Sequence, residues 1–352
     1  MLHFTSNQGF EDIVINELQS FFAAEGLTPG EFEASPFGIR GNVFYRPPVA
    51  EKAPGAQSAR EEELLPFIPR MRSIYHCDRY LDHVQFETED FFAELERFFG
   101  ALQIPSMEEA SSFRVRCNRR GNHPFHSPDV ERLAGAVLQK RYGTEVDLEE
   151  PDCDVRIEIF QTHLFAGERI SEPRAERRFD KVFHQRVSTR SVVAYGMLNL
   201  AGILSKPGTL LDPFCGSGTI LLEAADLLPG IELYGCDHHE DAVEGTEENL
   251  RRLGAMERSS IFRADARDIS EHLAPSSISY IVTDPPLGIK MGKRINFYAL
   301  YSTFLTEAHR VLEPGGRLLM LSQRHRKLFN YALRDVGGFT LKHVRVIEYG
   351  GI

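Results

Sequence analysis

Apolar side chains recur with a helical period between Phe10 and Phe22, at Ile13, Val14, Leu18, Phe21 and Phe22, and Gly26 follows as a stop. That spacing predicts a first helix. Two more are predicted, over Thr88 to Phe99 and from about Pro128 to Tyr142. Phe113-Arg114-Val115-Arg116-Cys117 alternates strictly, the period of a half-buried strand whose arginines lie opposite its apolar face. Val155 to Phe160 reads as another strand. Between these elements, Arg46 to Ala59 is rich in Pro, Gly, Ala and Ser, and runs as an exposed loop into Glu61-Glu62-Glu63. The first half is thus mixed strand and helix, without a nucleotide fingerprint, an internal repeat or a low-complexity tract.

From Ser191 onward strand and helix alternate. A helix over Ser191 to Leu204 is followed by a short strand, Gly208 to Leu211, that runs into Asp212-Pro213-Phe214-Cys215-Gly216-Ser217-Gly218-Thr219. A helix continues to about Leu228. The strand Glu232 to Cys236 ends at Asp237, a helix reaches Leu253, and a third strand precedes Asp265. The fourth, Ile278 to Thr283, stops at Asp284-Pro285-Pro286-Leu287-Gly288. A helix from about Tyr298 to Leu312, a Pro314-Gly315-Gly316 turn and the strand Arg317 to Leu321 complete the pattern. Strands separated by helices specify a parallel sheet covered on both faces, an α/β fold wound in two directions.

At 352 residues the chain has room for two or three domains at roughly 150 residues each. It has no run approaching the ~18 apolar residues of a membrane helix, and its N-terminus lacks the pattern of a signal peptide. Cys77, Cys117, Cys153, Cys215 and Cys236 show no metal-ligand spacing, so they read as reduced thiols of a cytoplasmic protein with no metal site. The net charge of −11 excludes a nucleic-acid binder that is basic throughout. Positive charge is nevertheless concentrated in the middle: seven basic against two acidic residues from Phe113 to Arg141, and seven against three from Arg169 to Arg190.

In a doubly wound sheet, ligands lie at the carboxyl ends of the strands near the reversal of strand order, and each polar signature here falls at such an end. Gly216 and Gly218 let the backbone approach a ligand and leave the amides of the next helix free. The loop lacks the GKS or GKT of a phosphate-binding NTPase, and Leu221 stands where a dinucleotide fingerprint has its third glycine. Asp237 is placed to accept ribose hydroxyls, and Asp265-Ala266 to meet an adenine edge. Together they point to an adenosine-containing cofactor. The consecutive prolines after Asp284 cannot continue a strand ladder. They fix the Asp284 carboxylate and the Pro285 carbonyl as two preoriented acceptors, suited to the exocyclic amine of a nucleobase facing a sulfonium methyl donor.

Asp212 to Thr219, Gly235-Cys236-Asp237 and Asp284-Pro285-Pro286 resemble the S-adenosylmethionine-dependent amino-methyltransferases of the class I Rossmann type. Phe113-Arg-Val-Arg-Cys-Asn-Arg-Arg-Gly-Asn-His-Pro-Phe125, followed by Val146-Asp-Leu-Glu-Glu-Pro-Asp152, resembles the THUMP domain, an RNA-binding module. Thr5 to Leu18 is similar to the ferredoxin-like domain that precedes THUMP. The likeness spans nearly the whole chain. It matches the THUMP-containing guanine-N2 methyltransferases of tRNA position 6 and the related large-ribosomal-RNA enzymes.

The resemblance implies a ferredoxin-like domain over 1–85 with a loop at 46–63, a THUMP domain over 86–168, a basic linker over 169–190 and a Rossmann-type methyltransferase domain over 191–352. It also implies S-adenosylmethionine held by Asp212, Pro213, Phe214, Cys215, Gly216, Ser217, Gly218, Thr219, Asp237, His238, Asp265, Ala266 and Asp284. The segment from Gln185 to Thr189 would touch the cofactor too. Asp284, Pro285, Pro286 and Leu287 would form the corner that orients the target amine. RNA phosphates would be held by Arg114, Arg116, Arg119, Arg120, Lys140, Arg141, Arg174, Arg177 and Arg178, giving position rather than sequence information. The expected partner is tRNA or rRNA, the expected state a monomer.

Two departures stand out. Leu287 replaces the aromatic residue that usually follows the prolines and stacks on a flipped-out base, and Asp284 replaces the Asn common among guanine-N2 enzymes. Phe297 or Tyr298 either compensates for Leu287 or belongs to ordinary packing. Gln323-Arg324-His325-Arg326-Lys327 is either a substrate contact or a solvated loop. Two alternatives remain: adenine-N6 methylation of nucleic acid, which Asp-Pro-Pro motifs also serve, and an RNA-binding protein with an impaired catalytic site. The THUMP-like half weighs against DNA as the substrate. The C-terminal half has neither the ATP loop nor the catalytic aspartate motif of other THUMP proteins.

Overall fold

The computed structural model describes residues 1–48, 61–87, 89–171, 178–185, 188–286, 296–322 and 326–348. The chain divides into one unit of Met1–Arg174 joined by Val346–Ile352 and a second of Ala175–Arg345. Most of the loop expected over Arg46 to Ala59 lies outside the described residues, as do Arg174, Arg177, Leu287 and Gln323 to His325.

In the first unit the elements are β1 (Leu2–Thr5), α1 (Glu11–Glu25), β2 (Glu31–Ala34), β3 (Asn42–Arg46), α2 (Glu61–Leu64), β4 (His76–Gln85), α3 (Phe91–Ala101), β5 (Ser112–Arg120), α4 (Ser127–Tyr142), β6 (Glu145–Val146), β7 (Cys153–Phe160) and β8 (His163–Ser171). Gly26 takes the left-handed conformation that ends α1. The described strands form one sheet in the order β2-β3-β1-β4-β8-β7-β5-β6. The ten-residue β4 is the shared member: its first residues pair with β1, from Leu2 opposite Arg79 to Thr5 opposite His76, and nearly its whole length pairs with β8. Two cores flank this strand. One packs Val14, Leu18 and Phe22 of α1 on Leu2, Phe4, Val43 and Tyr45. The other packs Leu95 and Phe99 of α3 and Val130, Ala134 and Leu138 of α4 on Phe113, Val155, Ile157 and Ile159.

Two alternate residues of β7, Arg156 and Glu158, are polar yet buried. Arg156 is 5% exposed, and its guanidinium meets Glu158 and, at 3.5 Å, Asp78 of β4, both also buried. Burial pushes the Asp78 carboxyl up to about 7, with Arg156 pulling it back. Arg156→Met keeps the aliphatic bulk but leaves two buried carboxylates without their cation, and is expected to cost about 3–5 kcal/mol in denaturant unfolding. The loss should be smaller at pH 6 than at pH 8, because Asp78 then escapes its charge by taking a proton. A cost below about 1 kcal/mol at pH 8 would show that Arg156 does not compensate these carboxylates.

The second unit contains α5 (Ser191–Ala201), β9 (Leu210–Asp212), α6 (Thr219–Leu227), β10 (Leu233–Asp237), α7 (Glu240–Leu253), β11 (Ser259–Arg263), β12 (Ile278–Thr283), α8 (Phe297–Val311), β13 (Leu312–Met320) and α9 (Arg326–Val336). Its described strands are all parallel, in the order β11-β10-β9-β12-β13. Strand order therefore reverses between β9 and β12, the place where sheets of this type bind ligands at the carboxyl ends of their strands. β9 and β12 are the strands that deliver Asp212 and Asp284. The expected Pro314-Gly315-Gly316 turn falls inside β13 as an irregularity: Leu312 pairs with Ile278 and Arg317 with Tyr280, so the residues between are looped out, with Gly315 at φ +84°. No described helix is long and apolar enough to cross a membrane.

Candidate active site

β9 ends in Asp212, whose side chain is buried. Its Oδ1 accepts from Thr283 Oγ1 at 2.7 Å and from the Phe214 amide at 3.2 Å, which ties the ends of β9 and β12 together. Burial pushes this carboxyl up to about 7. The chain then turns through Gly216, at φ +56°, to Gly218, at φ +76°, which caps the N-terminus of α6. A side chain at either position would collide: a Cβ on Gly216 would lie 2.5 Å from Gln185 Oε1, and one on Gly218 2.9 Å from Thr246 Cγ2. Gln185 thus lies over the glycine turn. Phe214 meets Phe304 edge-on at 5.4 Å, and Cys215 is buried.

Asp237 ends β10. It accepts the Gly216 amide on Oδ2 at 3.2 Å and the His239 amide on Oδ1 at 3.0 Å, so each oxygen keeps a further lone pair for a ligand. His238 is turned largely to solvent, with Nδ1 3.4 Å from Asp237 Oδ1. Asp265 has a partner that periodicity did not indicate. Arg267 forks onto it, Nε to Oδ1 at 2.9 Å and Nη2 to Oδ2 at 2.5 Å, and these bonds hold the carboxyl below its usual range. Ala266 packs into the core.

Asp284 ends β12. Its Oδ2 accepts from Thr189 Oγ1 at 2.8 Å, while Oδ1 is buried and has no hydrogen-bond partner among the described residues. Burial raises this carboxyl to about 6, with the Thr189 hydrogen bond opposing the rise. Pro285 is buried and Pro286 half-buried. Phe297 is a core residue, whereas Tyr298 is exposed and donates its hydroxyl to Asp335 Oδ2 at 2.8 Å.

Two residues at the site were missed in the sequence. Lys181 donates to Thr219 Oγ1 at 2.5 Å and Ser217 Oγ at 3.3 Å, and burial pulls its ammonium down to about 8. Asn249 of α7 accepts the Val182 and Phe183 amides and donates to the carbonyls of Phe183 and Ser217, fastening the segment before α5 to the glycine turn. Lys181 was one charge among many in a basic run, and Asn249 one polar residue on an amphipathic helix.

Comparison with known proteins identifies both halves of the chain. The profile of an RMKL-like methyltransferase domain matches residues 178–351, and that of the THUMP domain matches residues 89–165. A tRNA (guanine(6)-N2)-methyltransferase of Thermus thermophilus is 35% identical over 353 residues, spanning 100% of this chain and 96% of the relative. The chain belongs to the THUMP-containing guanine-N2 methyltransferases. A tRNA (guanine(6)-N2)-methyltransferase of Archaeoglobus fulgidus is 26% identical over 382 residues, covering 99% of this chain and 89% of its own. The crystal structure of TrmN from Thermus thermophilus superposes with a TM-score of 0.71 at 33% identity, covering 100% of this chain and 96% of that one.

The basic residues of this methyltransferase divide by what they touch. Arg114 meets Asp154 Oδ2 at 2.6 Å and the carbonyls of Leu148 and Glu149. Arg141 donates to the carbonyls of Leu102 and Gly100, at 2.5 and 3.0 Å, around the C-terminal end of α3. Arg178 pairs with the fully buried Glu223 of α6. These three bind their own protein. Arg116 and Lys140 are exposed, and Arg116 also donates to the Leu148 carbonyl at 3.4 Å. Arg119 lies over the Phe125 ring at 5.9 Å and Arg120 over the Phe160 ring at 5.5 Å.

Proposed function

We propose that this methyltransferase transfers a methyl group from S-adenosylmethionine to N2 of a guanosine in tRNA, at position 6 as the names of its full-length relatives indicate. The observation that carries the reading is the Asp284 corner: a carboxylate with one oxygen bonded to Thr189 and the other buried without a partner among the described residues, at the switch point of the sheet. The residues present suit the cofactor. The turn through Gly216 and Gly218 leads into the N-terminus of α6, Asp237 keeps acceptor capacity for ribose hydroxyls, and Lys181 adds a cation beside the turn, opposite in sign to an α-carboxylate. When bound, S-adenosylmethionine supplies an electrophilic methyl group on a sulfonium centre.

Asp284 Oδ1 and the Pro285 carbonyl take the two N–H groups of the guanine amine and aim its lone pair at the methyl carbon, about 3–3.5 Å away in a near-attack geometry. With S-adenosylmethionine bound, the amine nitrogen would take the methyl group as the carbon–sulfur bond broke. The nitrogen then carries the positive charge, and its surplus proton passes to the Asp284 carboxylate. On the RNA side, Arg116, Arg119, Arg120 and Lys140 hold phosphates. The domain division proposed is ferredoxin-like over 1–85, THUMP over 86–168, a basic linker over 169–190 and the catalytic domain over 191–352.

The reading is tested with labelled S-adenosylmethionine and RNA from cells lacking the gene, followed by digestion and nucleoside mass spectrometry. N2-methylguanosine in the tRNA fraction is the expected product. N6-methyladenosine, or cofactor binding with no methylated nucleoside, would overturn it.

A further inference from the structure

Thr189 lies outside every helix and strand, two residues before α5, and 95 positions from the carboxylate it touches. The prolines stiffen the backbone at Asp284, but they do not fix the plane of its carboxylate, because the terminal torsion of an aspartate is broad and two-fold. Nothing on β12 fixes it either. The Thr283 hydroxyl is committed to Asp212, and the prolines that follow Asp284 have no N–H to offer. Among the described residues, Thr189 Oγ1, at 2.8 Å from Oδ2, is the donor that sets this plane, and it leaves Oδ1 as the unbonded oxygen.

We propose that Thr189 is a positioning residue of the methyl-transfer step: its hydroxyl locks the plane of the Asp284 carboxylate and so presents Oδ1 to the amine of the target base. The inference rests on the role given to Asp284 under Proposed function. It places Thr189 on the side of the acceptor base rather than among the cofactor contacts expected from the sequence.

The hydroxyl also favours the ionised carboxylate, opposing the burial that raises Asp284 to about 6. The charged form accepts the amine, so activity falls as the pH drops through about 6, and without the hydroxyl that limb moves to higher pH. Among the described residues, the titratable group coupled to Asp284 from a neighbouring strand is Asp212 of β9, whose carboxyl is raised to about 7 by burial and, in smaller part, by the Asp284 charge, and the substitutions leave it in place.

Thr189→Val keeps the shape and removes the donor; Thr189→Ser keeps the donor. Single-turnover methyl transfer is measured from about pH 5.5 to about pH 9, and S-adenosylmethionine affinity by calorimetry. For Thr189→Val the rate at neutral pH should fall about tenfold and the acid limb should rise by about one pH unit. Affinity for S-adenosylmethionine should stay within about twofold, which also reports a folded site, and Thr189→Ser should recover most of the rate. Three results overturn the proposal: a wild-type rate with an unshifted limb; weakened cofactor affinity with an unchanged rate at saturation; or a serine variant as impaired as the valine one. If the valine variant does not fold, the serine variant and Thr189→Ala carry the same comparison. Asp284→Ala, run alongside, separates the two levels. Transfer by that variant at the wild-type rate sinks the role of Asp284 itself, whereas its inactivity beside an unaffected Thr189→Val sinks only the inference about Thr189.

Discussion

Asp284→Ala is expected to lower the single-turnover rate of methyl transfer by about 10²–10³-fold while leaving S-adenosylmethionine affinity within a few-fold of wild type. The size follows from what is removed. Asp284 Oδ1 is the buried acceptor at the switch point that nothing else in the described structure satisfies. Without it the amine keeps the Pro285 carbonyl alone, its lone pair is no longer aimed, and the proton it must shed has no nearby carboxylate. The cofactor cradle lies on β9, α6 and β10, so its affinity should survive. Asp284→Asn is the informative partner. Its amide nitrogen can donate to Thr189 Oγ1 while its oxygen remains an acceptor, so it should keep the aim of the lone pair but lose the proton acceptor, with a rate between those of the alanine variant and wild type and no acid limb near pH 6. An alanine variant as fast as wild type would remove Asp284 from the mechanism.

Gly218→Val should weaken S-adenosylmethionine binding by about 100-fold, ~2.7 kcal/mol, and lower the melting temperature as well. Gly218 holds φ +76°, a conformation that costs a β-branched residue roughly 1–2 kcal/mol before any contact is counted. The new side chain would also strike Thr246, the α7 residue that donates to the Gly216 carbonyl at 2.8 Å. Moving Thr246 releases the turn from α7 and spoils the cradle. Gly216→Ala makes a graded comparison, since its Cβ meets the movable end of Gln185. Calorimetric affinity within threefold of wild type for Gly218→Val would show that the turn does not bear on the cofactor.

The catalytic half was legible because its signals are local. Alternating apolar strands and helices specify a parallel sheet, and the Asp212 turn, Asp237 and Asp284 stand at strand ends where spacing alone puts them. Contacts between distant segments were not legible. Thr189 reaches Asp284, Lys181 reaches the start of α6, and Asn249 fastens the strap between them, and no period in the chain connects these positions. Charge counting treated all arginines alike, whereas Arg114, Arg141 and Arg178 are held by their own protein, and Arg267 engages the carboxylate of Asp265. β4 escaped the search for strands because His76 to Gln85 does not alternate. Its polar residues include Asp78, which is buried opposite Arg156, so neither face reads as apolar.

The sharing of β4 between both cores of the first unit has a mechanical corollary. Eight strands bonded edge to edge, at about 4.8 Å spacing, make a plate roughly 34 Å wide with no hinge between its lobes. The same lattice makes β4 intolerant of insertion: one added residue would turn its following side chains to the opposite face against two neighbours at once.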